Sequence, residues 1–144
     1  MNRSENELTE NTRRAEGMLA HEYGEFVLFG LFQREETAGK WDVLVSAPWL
    51  TNDRAGIQQI VDGLRSYLTA ENWMKIGGIA PLPPDSDFVR TVARIFGVEH
   101  QVWESGSFEA EGIRIDRAFL ITAGKNREPV AGQHPVTGSY LAAA

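Results

Sequence analysis

The sequence predicts an α+β domain of two layers, a mostly antiparallel sheet of about five strands packed with three helices in the order α-ββ-α-β-α-ββ. Two strand–turn–strand patterns carry that prediction: FVLFGLFQREETAGKWDVLVSAPWL at 26–50 and VEHQVWESGSFEAEGIRIDRAFLITA at 98–123. Before and between them, apolar residues recur every three or four positions, the period of a helix with one buried face. The composition allows such a core, since 42% of the 144 residues are hydrophobic and 24% charged. A single domain over 1–123 is the expectation. Residues 124–144 contain many helix and strand breakers and little periodicity, and are expected to form a disordered tail.

The first helix is expected over 5–23, where Leu8, Ala15, Met18, Leu19 and Tyr23 share a loose stripe and Gly24 supplies a stop. Its first two turns are so polar that only the second half is expected to pack. In the first hairpin, a three-residue loop of Thr37, Ala38 and Gly39 would pair Arg34 with Asp42, Phe32 with Leu44 and Leu31 with Val45. Both faces of that hairpin are apolar away from the loop, which places it centrally, covered on both sides or at a subunit contact. Asn52 or Asp53 then caps a second helix with Ile57, Ile60, Val61, Leu64 and Leu68 on one face.

GGIAPLPPDSD, at 77–87, is the stretch that most resembles a motif. It lacks the spacing of either glycine-rich phosphate loop, and its three prolines remove N–H groups a phosphate would need. It reads instead as the end of a short strand, WMKIGGIAP, bent or bulged at Gly77–Gly78. An extended PLPP then leads to a cap at Asp85 or Ser86. The third helix buries Phe88, Val89, Val92, Ile95 and Phe96 and stops at Gly97. In the last hairpin a turn at Glu111–Gly112 pairs Phe108 with Ile115, Gly106 with Arg117, Glu104 with Phe119 and Val102 with Ile121; a turn at Ser105–Gly106 is the competing register.

Several functions are excluded or disfavoured. The chain has no cysteine, which removes disulfides, thiolate metal sites and cysteine nucleophiles and fits a cytoplasmic setting. The polar N-terminus does not read as a secretory signal. No apolar run approaches the ~20 residues that span a bilayer, so no membrane contact is expected. A net charge of −6 repels nucleic acid, and the basic residues stand among acids. His21, His100 and His134 have no metal-ligand spacing, and no serine sits in a nucleophile motif; neither metal nor cofactor is expected.

One polar cluster remains. In the register above, His100, Glu104 and Arg117 lie on an otherwise apolar face, where an unpaired charge is costly. They could form a small pocket, with Arg117 clamping an anion, Glu104 orienting it or acting as a base, and His100 titrating nearby. The more ordinary reading is a structural ion pair or a charged sheet edge. Trp49, just after a strand, is either a core lid or part of an interface. Gly56 and Gly63 lie on nearly one side of the second helix, where they either allow close approach of another backbone, in this chain or in a partner, or are tolerated glycines on a surface. Two functions follow: a non-enzymatic interaction or regulatory module, homodimeric, or a small anionic-ligand binder or modest hydrolase using His100, Glu104 and Arg117.

Overall fold

The computed structural model describes residues 2–37 and 39–124, so the expected tail lies, beyond Gly124, outside the described residues. At the centre is the first hairpin, β1 (Leu28–Gln33) against β2 (Trp41–Ser46). Its register differs from the expected one by two residues, with Leu31 opposite Val43 and Phe29 opposite Val45. The cause is local: Glu35–Thr37 wind into a 3-10 turn, which lengthens the connection beyond a three-residue loop. A slip of two leaves every side chain on its intended face, because strands alternate with period two. Phe29, Leu31, Val43 and Val45 therefore enter one core, and Leu28 and Phe32 the opposite one. The cross-strand pair of Arg34 and Asp42 survives the slip, at 3.0 Å.

One face of the sheet is covered by α1 (Arg3–Tyr23) and α2 (Arg54–Arg65). The first half of α1 packs after all, with Leu8, Thr9 and Thr12 buried. Burial of such polar residues is possible because each hydroxyl is satisfied within the helix: Thr12 donates to the Leu8 carbonyl at 2.7 Å and Thr9 to that of Asn6 at 3.1 Å. Asp53 caps α2 by accepting from the Gly56 N–H.

After α2 comes a single-turn helix, α3 (Ala70–Trp73), capped reciprocally by Thr69 and Asn72. That capping box holds Trp73 in a helical turn, where a strand was expected. The strand that follows, β3 (Ile76–Pro81), pairs in parallel with β2. The expected bend is present: Trp41 faces Ile76 but Asp42 faces Gly78, leaving Gly77 as the extra residue. Pro81 is tolerated because β3 is an edge strand.

The opposite face carries α4 (Asp87–Phe96), capped by Ser86 and ended by Gly97 in the left-handed conformation. Phe88, Val89, Val92 and Ala93 form its buried stripe. Ile95 was expected inside, but it lies off that stripe and is 52% exposed.

The last unit keeps the expected pairing and changes its partition. Glu111 and Gly112, with φ of 51° and 79°, make a tight two-residue turn. Phe108 faces Ile115, and Glu104 faces Phe119. The ladder divides near Gly106, however. β5 (Phe108–Ala110) and β6 (Ile113–Ile115) form a separate two-stranded sheet, while β4 (Trp103–Ser105) joins β7 (Arg117–Ala123). The five-stranded sheet then runs β3-β2-β1-β7-β4. Against β1, β7 contains a bulge: Thr122 faces Phe29, but Leu120 faces Gly30, leaving Ile121 extra. The bulge turns Thr122 toward α1, and the polar chemistry of the fold depends on that turn.

Candidate functional site

Glu5 and Glu16 are eleven residues apart on α1, three helical turns to within about 20°, so both point at the sheet. Each meets a cation from the C-terminal part of the chain. Glu5 grips Arg117 with both oxygens, at 2.7 Å to Nη1 and 2.8 Å to Nη2. Glu104 accepts from the same guanidinium at Nε (3.2 Å) and Nη2 (3.0 Å). The guanidinium also lies over the rings of Phe119 and Trp41, with its carbon 5.0 and 5.6 Å from their centroids. Its hydrogen bonds hold the Glu5 carboxyl below its ordinary pKa. Two carboxylates of the protein itself thus occupy the face of Arg117 that an anion would use.

His100 belongs to a second cluster. Its Nδ1 lies 2.8 Å from Glu16, whose side chain is fully buried, and its Nε2 lies 2.9 Å from Glu25, whose side chain is 48% exposed. Thr122 completes the arrangement: its hydroxyl donates to Glu16 at 2.7 Å and accepts from the His100 backbone N–H at 3.1 Å. A ring nitrogen meets an ionised carboxylate by donating, so the two contacts together fit the imidazolium form. The Glu16 hydrogen bond, opposed in part by desolvation, raises the pKa of His100 above 6.5. His100 also sits at φ 55°, one of two non-glycine residues at positive φ among the described residues. A β-bulge, a left-handed histidine and a buried carboxylate therefore converge at one place, a concentration of local irregularity expected of functional sites.

The structure thus brings Glu104 and Arg117 together and holds His100 in different company. Sequence reasoning missed Glu5, Glu16, Glu25 and Thr122. The eleven-residue spacing of Glu5 and Glu16 was a usable signal; nothing local marks Thr122, whose direction depends on the bulge.

The other singled-out residues lie within the fold. Trp49 donates its indole N–H to the Glu25 carbonyl at 3.1 Å, stacks on Tyr23 and meets Phe26 edge-on. Gly56 abuts the Thr51 carbonyl and Gly63 abuts the Leu19 side chain, so both close approaches are made inside this chain. Elsewhere a shallow apolar groove runs between Leu68, Ala70, Trp73 and Met74, sharing no residue with either cluster. Among the described residues no group of three or more potential ligands is arranged to hold a metal ion, and no helix is long and apolar enough to cross a membrane. No protein-family model, no curated protein and no solved structure matches this chain.

Proposed function

We propose that the chain is a non-enzymatic interaction module that self-associates through the open edge of its sheet at β4. The carrying observation is Trp103, 51% exposed on a three-residue edge strand. Natural edges are usually blunted by charge, proline or a covering element, and a large aromatic on an open edge invites a partner strand. Trp103 shares the face of Leu120, on the α4 side of the sheet. Two further exposed apolar residues, Ile95 of α4 and Ile113 of β6, belong to the elements of that side. Two copies related by a twofold axis, β4 against β4, would continue the sheet and cover both Trp103 side chains. Glu104, opposite its own copy in such a pairing, is turned to Arg117, which it shares with Glu5.

The occupied cations support binding over catalysis or anion capture. Arg117 and His100 are each held between two internal carboxylates, so neither offers a free donor set to a small anion.

Light scattering across a concentration series tests the proposal. Mass should rise from monomer toward dimer, and Trp103→Lys should hold the chain monomeric with an unchanged circular dichroism spectrum. A wild-type chain that stays monomeric throughout the series would sink it.

A further inference from the structure

We propose that His100 is a proton-operated latch on the junction between α1 and β1, with Glu25 as its moving part and Trp49 as the element it controls. The reading is independent of self-association. It starts from donor counting: the imidazolium has two N–H groups, and Glu16 and Glu25 each take one. Neutral imidazole keeps a single N–H, and burial decides which carboxylate retains it. The Glu16 side chain has no exposure to water, so a ring lone pair aimed at its oxygen would be two buried acceptors facing each other. Glu25 is half exposed and can turn to solvent. Loss of the proton therefore leaves Nδ1–H on Glu16 and expels Glu25 from Nε2.

The groups around the ring agree on this direction. From α1 comes Glu16, from the connector Glu25, and from β7 the Thr122 hydroxyl, which already donates to Glu16. The set is anionic, so the proton is the cation that balances it, and the Glu16 contact holds that proton more tightly than an ordinary histidine would.

Glu25 is also joined to Trp49. Its carbonyl accepts the indole N–H, and the preceding residue, Gly24 at φ 130°, lies so close to the indole that a Cβ there would come within 2.8 Å of it. Freeing the Glu25 side chain removes its tether to His100, so the Glu25 carbonyl that accepts the indole N–H loses that restraint, while Trp49 stays packed on Tyr23 and Phe26. A proton at His100 is thereby transmitted to an aromatic side chain on another loop, through one residue with two bonds.

The test is an NMR titration of the 15N-labelled full chain, following the His100 ring nitrogens and the Trp49 indole N–H, the latter assigned with Trp49→Phe. As pH rises, His100 should pass from doubly protonated to the Nδ1–H tautomer, and the indole resonance should shift with the same midpoint. In Glu25→Gln the carboxamide can accept from an Nε2–H or donate to a bare Nε2. His100 should still titrate there while the indole stays put. An Nε2–H tautomer, an indole indifferent to pH in the wild type, or an unchanged indole response in Glu25→Gln would each overturn the latch.

Discussion

At the scale of single residues, the buried side-chain polar atoms of the described residues are satisfied with one exception that a mutation can exploit. The Ser46 hydroxyl is buried with no hydrogen-bond partner among the described residues. An unpartnered hydroxyl costs stability that a methyl does not, so Ser46→Ala should stabilise the fold by about 1 kcal/mol, read as a higher urea midpoint. His100 makes a pH-dependent contribution whose sign follows from its raised pKa. That stability is fully present below pH 6.5, the ordinary histidine value, and is lost as pH rises through the higher folded value. With 36% of the side chain exposed, solvent screening holds the contribution to about 1 kcal/mol or less. Urea midpoints measured across that range should fall with rising pH in the wild type and fall less in His100→Asn, asparagine being a residue that tolerates the left-handed backbone.

At the scale of elements, α2 carries two closely packed glycines, Gly63 against α1 and Gly56 against the loop before its own cap, and they differ in what blocks them. A Cβ on Gly63 would come 2.7 Å from the Leu19 side chain, which is buried and has little room to yield. Gly63→Ala should cost about 1–3 kcal/mol by overpacking, reduced by up to ~1 kcal/mol of gained helix propensity. A Cβ on Gly56 would come 1.9 Å from the Thr51 carbonyl oxygen, a backbone atom fixed by the cap of α2. Gly56→Ala should therefore cost more than Gly63→Ala in the same unfolding measurement, and the reverse order would contradict this packing. Much of this level is legible in the sequence. The stripes of α2 and α4, the bend at Gly77–Gly78 and the Glu111–Gly112 turn all follow from local chemistry. The 3-10 turn at Glu35–Thr37 was not legible, because it competes with a tighter loop of nearly equal local quality. Nor was the site: the Glu104–Arg117 pair follows from cross-strand spacing, but Glu16 and Thr122 meet His100 only through the docking of α1 and the bulge at Ile121.

At the scale of the whole molecule, both ends of the described chain are clasped together. α1 is pinned by Arg117 and His100, and β7 lies between β1 and β4. β1 is flanked by strands on both edges and is buried on both faces along Leu28–Phe32. Its amides should be the last to exchange with deuterium, opening only with global unfolding, while those of β3 and β4 exchange earlier. Early exchange of β1 would contradict this architecture. The placing of β7 also bears on how the chain is made. β1 leaves the ribosome about 90 residues before β7 is finished, a wait of roughly 5 to 20 seconds at ordinary rates of synthesis. For that time the nascent hairpin presents an apolar strand with one edge unpaired, the condition under which chaperones are recruited and neighbouring nascent chains cross-pair.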